Sequence, residues 1–389
     1  MLIYQLFRPA CYLAMRPYYR RVFITNFEKI PLDAPVILAV NHPTGFIDPL
    51  VLSSYIDKQL WHMTRGDLFR KPWAANLMRL TNMFPVYRFR EGFEDTRRNT
   101  EVFEYCTQKL AENQILAIYV EGNSAHEKRL RPLQKGAARI AFSAFEKNRQ
   151  QNLQIVPIGA NYTYADQPRS EIMYEAGQPI FVRDFFEKYQ SNPASATNEL
   201  TSEIEKQLRE LVIVIDKIQD EPLVENLHQL YRNPIDRPFA PHFSTDNARL
   251  HDEKTIAAYV NQLPETEKSQ LLTQSNDYFL ALKKAGATDF GLVQPGFASV
   301  VWTILGIVGF LPALIGRAIV WPPAALAHWV MKKKARKAEF RSSIEFGVGV
   351  LGYSAIWLPL IWVTAFCTNN PIYIAVSLLI PLWGYLSML

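Results

Sequence analysis

Five short apolar runs constrain the fold of the first half of this chain. VILAV (36–40), QLWHMTR (59–65), FPVYR (84–88), ILAIYV (115–120) and LQIVPIGANYTY (153–164) each read as a strand. They are rich in β-branched and aromatic residues and too short for buried helices. Between them lie PLVLSSYIDK, DLFRKPWAANLMRL, EDTRRNTEVFEYCTQKLAEN and GAARIAFSAFEKNRQ, which read as helices; Val102, Phe103 and Leu110 fall near helical spacing. Strands and helices alternating at these lengths predict an α/β fold, a mostly parallel sheet layered with helices. Such sheets bind ligands at the carboxyl ends of their strands.

Beyond Gln178-Pro179 the pattern changes. Leu200, Ile204, Leu208 and Leu211 repeat at helical spacing, which predicts a helix packing one face on the sheet. Residues 219–286 read as further helices, with Gly286 as a stop. From Phe297 onward apolar and aromatic residues dominate. Residues 297–316 are apolar over about one membrane span. Arg317 interrupts, and AIVWPPAALAHWVM leads to KKKARKAEFR (332–341), six basic residues against one acidic. Residues 344–367, broken by Glu345, form a second run, and a third follows Asn369-Asn370-Pro371. Trp302, Trp321, Trp362 and Trp383 suit the membrane interface, and the basic loop predicts a cytoplasmic position. Pro312, Gly316, Pro322 and Pro323 suggest that 297–331 is a bent, re-entrant hairpin, which keeps the first domain on the same side as the basic loop. If 297–316 is instead a true span, the first domain and the basic loop lie on opposite faces; the plainer alternative is an apolar helical core.

The expected organisation is therefore a membrane-interface helix at 1–24, a catalytic domain at 25–217, a helical extension at 218–295 and membrane-anchoring helices at 296–389. The first segment lacks a signal-peptide layout: Arg8, Arg16, Arg20 and Arg21 interrupt its apolar residues, and no acid precedes Glu28. It suits a helix lying in a bilayer interface or an ordinary first helix packed on the domain. A net charge of +5 over 389 residues fits an anionic partner such as headgroups, phosphorylated substrates or, in principle, nucleic acid, or more simply a solvated surface; no nucleic-acid partner is expected. Cys11, Cys106 and Cys367 make no disulfide framework and no zinc-ligand cluster, as expected of a reducing compartment.

The chemistry concentrates in NHPTGFIDPL (41–50), directly after the first apolar run. A histidine there acts as a base if a carboxylate fixes its tautomer and stabilises the imidazolium. His42 and Asp48 supply the two groups. Five residues separate them, which puts them on no common helix face, so a turn shaped by Pro43 and Gly45 has to bring them together. Arg88 follows FPVYR's apolar residues, and its planar guanidinium suits phosphate; the plainer reading is a surface ion pair. Glu121-Gly122 ends ILAIYV, where the Gly122 N–H suits an oxyanion or, more simply, closes a β-turn. His126, in the same loop, reads as a solvated or supporting residue.

NHPTGFIDPL resembles the first motif of the PlsC-like superfamily of glycerophosphate acyltransferases of phospholipid synthesis. FPVYR (84–88), VEGNS (120–124) and VPIGANY (156–162) resemble the second, third and fourth motifs in order, and TRGDLF (64–69) and GQPI (177–180) resemble segments common in the family. The resemblance covers roughly residues 25–215. It implies His42 as general base with Asp48 as its partner and Arg88 on the substrate phosphate. It places Glu121 and Gly122, with Asn123 and Ser124 at the following motif positions, in the acceptor site, and Pro157 on the acyl-donor side. Two departures stand out. The family's first motif commonly has four residues between histidine and aspartate. Its third motif commonly has proline before the glutamate and an arginine after the glycine. That arginine is absent here, and Lys128, Arg129, Arg131 and Lys135 are the nearby cations to replace it.

The implied reaction passes an acyl group directly from acyl-coenzyme A or acyl-carrier protein, as co-substrate, to a glycerol hydroxyl, with no cofactor, metal or covalent enzyme intermediate. Glycerol 3-phosphate, 1-acylglycerol 3-phosphate and another lysophospholipid all remain open as acceptors. The expected location is the membrane, with the catalytic domain on the cytoplasmic face. Two other readings compete: a serine lipid hydrolase, since Gly122-Asn123-Ser124-Ala125-His126 nearly matches a nucleophile elbow, and a non-catalytic lipid-binding protein on the same scaffold.

Overall fold

The computed structural model describes residues 2–86, 93–149, 152–235, 242–293, 296–335, 337–368 and 370–387. The chain enters with α1 (Leu2–Tyr18) and β1 (Arg21–Thr25), followed by β2 (Val36–Val40), α2 (Ile47–Tyr55), β3 (Leu60–Arg65), α3 (Pro72–Leu80), β4 (Met83–Val86), α4 (Phe93–Ala111) and β5 (Ile115–Tyr119). Then come α5 (Gly136–Asn148), β6 (Gln154–Tyr162), β7 (Glu171–Ala176), β8 (Ile180–Phe181), α6 (Phe186–Ser191) and α7 (Pro193–Leu211). All five predicted strands are present. The sheet runs β4-β3-β5-β2-β6-β7-β1-β9, where β9 is the later strand Phe243–Ser244, with β8 also pairing β6. Its pairs are parallel except β6 with β7 and with β8.

β2 lies deep in this sheet, and its five residues are all buried. Ile37 and Ala39 face one core with Val102, Leu110, Phe142 and Leu200. Val36, Leu38 and Val40 face the other with Met15, Leu52 and Phe346. A strand covered on both faces reads as an unbroken apolar run, which is why VILAV shows no alternation. The four predicted apolar positions of α7 are buried, and full burial of one such side chain is worth about 1.5–3 kcal/mol.

The helical extension comprises α8 (Glu221–Ile235), β9 (Phe243–Ser244), α9 (Ala248–Gln262), α10 (Glu265–Ala285) and α11 (Asp289–Val293). α10 stops at Gly286, as predicted. Leu223, Val224, Leu250 and Val260 pack on Met173 of β7, so the extension is seated on the sheet. The chain closes with α12 (Gly296–Lys334), α13 (Arg341–Thr368) and α14 (Pro371–Leu386).

Two expectations are corrected. The first helix ends at Tyr18, and residues 21–25 form β1, paired in register with β7 from Arg21↔Glu171 to Thr25↔Glu175. Residues 297–331 do not double back; they lie in the single helix α12, with Pro312, Pro322 and Pro323 inside it. Packing partners keep such a helix together where prolines remove backbone donors. The Trp383 indole donates to the Pro312 carbonyl at 3.1 Å, and Gly352 lies against Pro323. Two stretches, Gly309–Lys334 and Ala338–Thr368, are long and apolar enough to cross a membrane. Ile307, Trp321, Leu351, Phe366 and Ile372 are among many large apolar side chains that α12, α13 and α14 leave exposed.

Candidate active site

The site forms where β2 ends and α2 begins. The Asn41 side chain bridges the chain to β6, donating to the Ala160 carbonyl at 2.9 Å and accepting from its N–H at 2.6 Å. That fixes the backbone one residue before His42. The five-residue spacing is then closed by Thr44. Its N–H donates to Asp48 Oδ2 at 3.1 Å, its hydroxyl donates to Oδ1 at 2.8 Å, and that hydroxyl accepts the Asp48 N–H at 3.2 Å. This reciprocal exchange ties the turn to the first residues of α2, whose N-cap Phe46 has no side-chain cap of its own. It leaves Asp48 in the first turn, where the helix dipole favours negative charge.

His42 Nδ1 lies 2.8 Å from Asp48 Oδ2. The carboxylate side chain is 0% exposed and the imidazole 14%. An ionised carboxylate only accepts, so Nδ1 carries the proton and Nε2 is the nitrogen that can take one from a substrate. The other Asp48 oxygen accepts from Tyr162 at 2.5 Å and from Tyr174 at 2.8 Å. These two side chains come from neighbouring strands of the β6–β7 hairpin. Burial first, and then the charge of Asp48, push both phenols well above their ordinary pKa, so they stay protonated donors. The buried charge is thus solvated without a countercharge.

The imidazole stacks on Tyr119, with ring centroids 4.1 Å apart. Behind Tyr119, His62 is buried and bonded through Nε2 to Ser53 at 2.8 Å; burial pushes its pKa down to about 3. It is a neutral support rather than a second base. No group of three or more His, Cys, Asp or Glu side chains suited to a metal ion occurs among the described residues.

Glu121 is buried and holds the backbone of the site. Oε2 accepts the His42 N–H at 2.8 Å and the Arg131 guanidinium at 2.7 Å, and Oε1 accepts the Arg131 N–H at 2.8 Å. Arg131 also donates to the side chain and carbonyl of Asn123, at 2.5 and 2.6 Å. Of the nearby cations, Arg131 therefore occupies the place by the glutamate; Lys128 pairs with Glu225 at 2.6 Å and Arg129 with Glu127 at 2.9 Å.

Gly122 does not present its N–H to a substrate. It donates to the Tyr119 carbonyl at 3.0 Å, and the residue turns the chain at φ +75°, where glycine is favoured. Ser124 sits in an irregular loop, and the next helix begins only at Gly136, so the strand-turn-helix of a nucleophile elbow is missing. Pro157 is buried in β6 opposite Ala39, bracing the sheet beneath the site. Arg88 lies outside the described residues.

Sequence reading missed Thr44, Tyr119, Tyr162 and Tyr174. Thr44 lies inside the motif, and Tyr162 closes VPIGANY, but no local pattern marks Tyr174.

This geometry, a buried carboxylate orienting a histidine at a strand end, leaves one imidazole nitrogen able to accept a proton. Residues 21–161 match the family model described as Acyltransferase. It is 31% identical over 257 residues to glycerol-3-phosphate O-acyltransferase 1 of Saccharomyces cerevisiae, covering 63% of this chain and 33% of the yeast protein. It is 26% identical over 121 residues to the 1-acyl-sn-glycerol-3-phosphate acyltransferase of Bacillus subtilis, covering 31% of this chain and 56% of that one. The chain thus spans a third of the first relative and just over half of the second. Among solved structures, the 1-acyl-sn-glycerophosphate acyltransferase PlsC of Thermotoga maritima aligns with a TM-score of 0.41 and 16% identity, covering 54% of this chain and 78% of that chain.

Proposed function

We propose that this chain transfers a fatty acyl group from a thioester, acyl-coenzyme A or acyl-carrier protein, to a hydroxyl of a glycerol phosphate or lysophospholipid. The observation that carries this reading is the 2.8 Å contact between His42 Nδ1 and the fully buried Asp48. Nε2 takes the proton of the acceptor hydroxyl as its oxygen attacks the thioester carbonyl. The C–O bond forms, the C–S bond breaks, and the proton passes from Nε2 to the departing sulfur, leaving an ester and a free thiol. Asp48 holds the imidazole in its productive tautomer and offsets the imidazolium charge. General base catalysis of this kind is worth about 10²–10⁴-fold.

The similarity to a glycerol-3-phosphate O-acyltransferase and to a 1-acyl-sn-glycerol-3-phosphate acyltransferase supports this acceptor class. Arg88 is assigned to the acceptor phosphate and the Asn123-Ser124 segment to its glycerol end, while Glu121, Gly122 and Pro157 shape the walls. The exposed apolar helices support membrane association. The loop that joins α12 to α13 is basic, and it reaches the catalytic turn, where the Gly45 N–H donates to the Glu339 carbonyl at 2.9 Å. Loop and site therefore share one face, and the positive charge of the loop supports a cytoplasmic position for it.

The test uses full-length protein in phospholipid vesicles, labelled acyl-coenzyme A and a panel of glycerol 3-phosphate and lysophospholipid acceptors. Wild type should acylate at least one acceptor, and His42→Ala and Asp48→Ala should lose at least a hundredfold. Undiminished transfer by His42→Ala, or lipid binding with no transfer by wild type, would sink the reading.

A further inference from the structure

The catalytic turn is gripped from outside the sheet by the head of α13. The Glu339 carbonyl accepts the Gly45 N–H at 2.9 Å, and the Ser343 hydroxyl accepts the Phe46 N–H at 2.9 Å. Between them, the Phe340 ring lies against the bare α-carbon of Gly45: a Cβ added there would come within 2.6 Å of the ring. Absence of a side chain at 45 thus serves close approach. Three further contacts seat this segment. The Tyr18 hydroxyl donates to the Ser342 carbonyl at 3.2 Å, Arg341 pairs with Asp166 at 3.2 Å, and Phe346 enters the sheet core beside Tyr18, with ring centroids 5.3 Å apart.

Gly45 and Phe46 lie between His42 and Asp48, and Thr44 cannot hold both ends of the turn unless its middle is fixed. Within the sheet, Asn41 anchors the approach to His42, and α2 carries Asp48. The middle of the turn instead gives its N–H groups to Glu339 and Ser343, about three hundred residues later, at the junction of two apolar helices. We propose that Glu339–Ser343 is a positioning strap, with Phe340 and Ser343 as positioning residues, so that the His42–Asp48 pair is fully ordered only while the α12–α13 junction is seated on it. This rests on the reading of His42 as the base. Activity is thereby coupled to how the apolar helices sit: whatever lifts their junction off the domain loosens the base and leaves the substrate-binding loops in place.

A misplacement of catalytic groups by about 1 Å can cost on the order of a hundredfold, and loss of orientation lowers kcat more than it raises KM. Phe340→Ala and Ser343→Ala, in the full-length protein in phosphatidylcholine vesicles, should lower kcat roughly ten- to a hundredfold, with KM for donor and acceptor within about twofold. Ser343→Thr, which keeps the hydroxyl, should recover most of the loss. Gly45→Ala should be as impaired as Phe340→Ala, and the double variant no worse than either, since the two changes act on one contact. Peptide-level hydrogen exchange over residues 41–48 should speed up in Phe340→Ala and Ser343→Ala and stay at the wild-type rate in His42→Ala. Unchanged kcat, or unchanged exchange in both strap variants, overturns the strap. Full turnover by His42→Ala overturns the reading beneath it, and the exchange measurement, which needs no turnover, tells the two failures apart.

Discussion

Asp48 and Glu253 are both fully buried carboxylates, and the molecule solvates them in opposite ways. Asp48 takes hydrogen bonds from Thr44, Tyr162 and Tyr174 and from one imidazole. Glu253 is gripped by Arg232 through two bonds of 2.8 and 2.9 Å and by Arg249 at 3.1 Å. The Arg232–Glu253 cluster extends to Glu225 and Lys128 on one side, and through Arg249 to Glu171 on the other. It ties α8, α9, β7 and the loop after β5 together. Burial pushes the Glu253 carboxyl up, but the Arg232 bonds and the charges of Arg232, His228 and Arg249 outweigh it and bring the pKa down to about 2. The difference separates two uses of a buried anion. A carboxylate neutralised by guanidinium fastens elements to one another. One held by neutral donors keeps its charge for the imidazolium that forms beside it.

Isosteric changes at the two positions should therefore fail differently. Asp48→Asn places an amide N–H₂ or a neutral carbonyl against His42 Nδ1 and removes the charge. We expect kcat to fall by about 10³-fold or more, with circular dichroism unchanged. Glu253→Gln leaves two arginines short of a countercharge. Breaking a buried pair costs about 3–5 kcal/mol, so this variant should lose stability in thermal or urea unfolding while each folded molecule turns over at nearly the wild-type rate. If Glu253→Gln loses turnover while fully folded, the distinction breaks.

Smaller effects sharpen it. Tyr162→Phe and Tyr174→Phe each remove one donor from Asp48, and about a tenfold drop in kcat is expected for each, near 1.4 kcal/mol in barrier. The pair should be non-additive, because the two hydroxyls lie 2.7 Å apart and serve one oxygen. Independent, multiplying losses would mean that the phenols act separately.

The mildest expectation concerns pH. Burial pushes His62 down to about 3 and His228 down to about 4. Unfolded, both would take a proton near 6.5. Below that value the unfolded chain binds more protons than the folded one, so stability is full above about 6.5 and declines as pH falls toward 4. Glu253, ionised down to about 2 in the folded chain but protonated at about 4.3 in the unfolded one, adds to the loss only as pH falls below about 5. Thermal midpoints at pH 7.5 and 5.0 should differ less in His62→Gln and in His228→Gln than in wild type. Parallel losses in all three would assign the acid sensitivity elsewhere.

Legibility in the sequence follows the range of the forces involved. Strands β2 and β5 announce themselves because both faces are covered and the apolar run is unbroken. β7 does not: EIMYEA carries two glutamates, yet all six residues are buried. Arg249 pairs with Glu171 at 2.8 Å, and Asn26 donates to Glu175 at 3.1 Å, and such long-range partners leave no local trace. β1 was hidden in the same way, since Arg20-Arg21 reads as the end of a basic helix until Glu171 pairs across from Arg21 at 3.5 Å. In the site, His42 and Asp48 were legible because one turn holds both. The phenols arrive from a hairpin more than a hundred residues later. The prolines of α12 read as breaks because their local cost is large, and the surfaces that offset it belong to α13 and α14.

The paired phenols carry one more consequence. Their own ionisation is suppressed, and Asp48 already accepts from every group it faces. Under the proposed reaction, a proton taken from the acceptor alcohol therefore meets no vacant acceptor on Asp48 or the two phenols. It rests on Nε2, and the departing sulfur is the base that then takes it. The pair of hydroxyls so keeps the inner side of the dyad fully donated while the proton changes hands on its outer side.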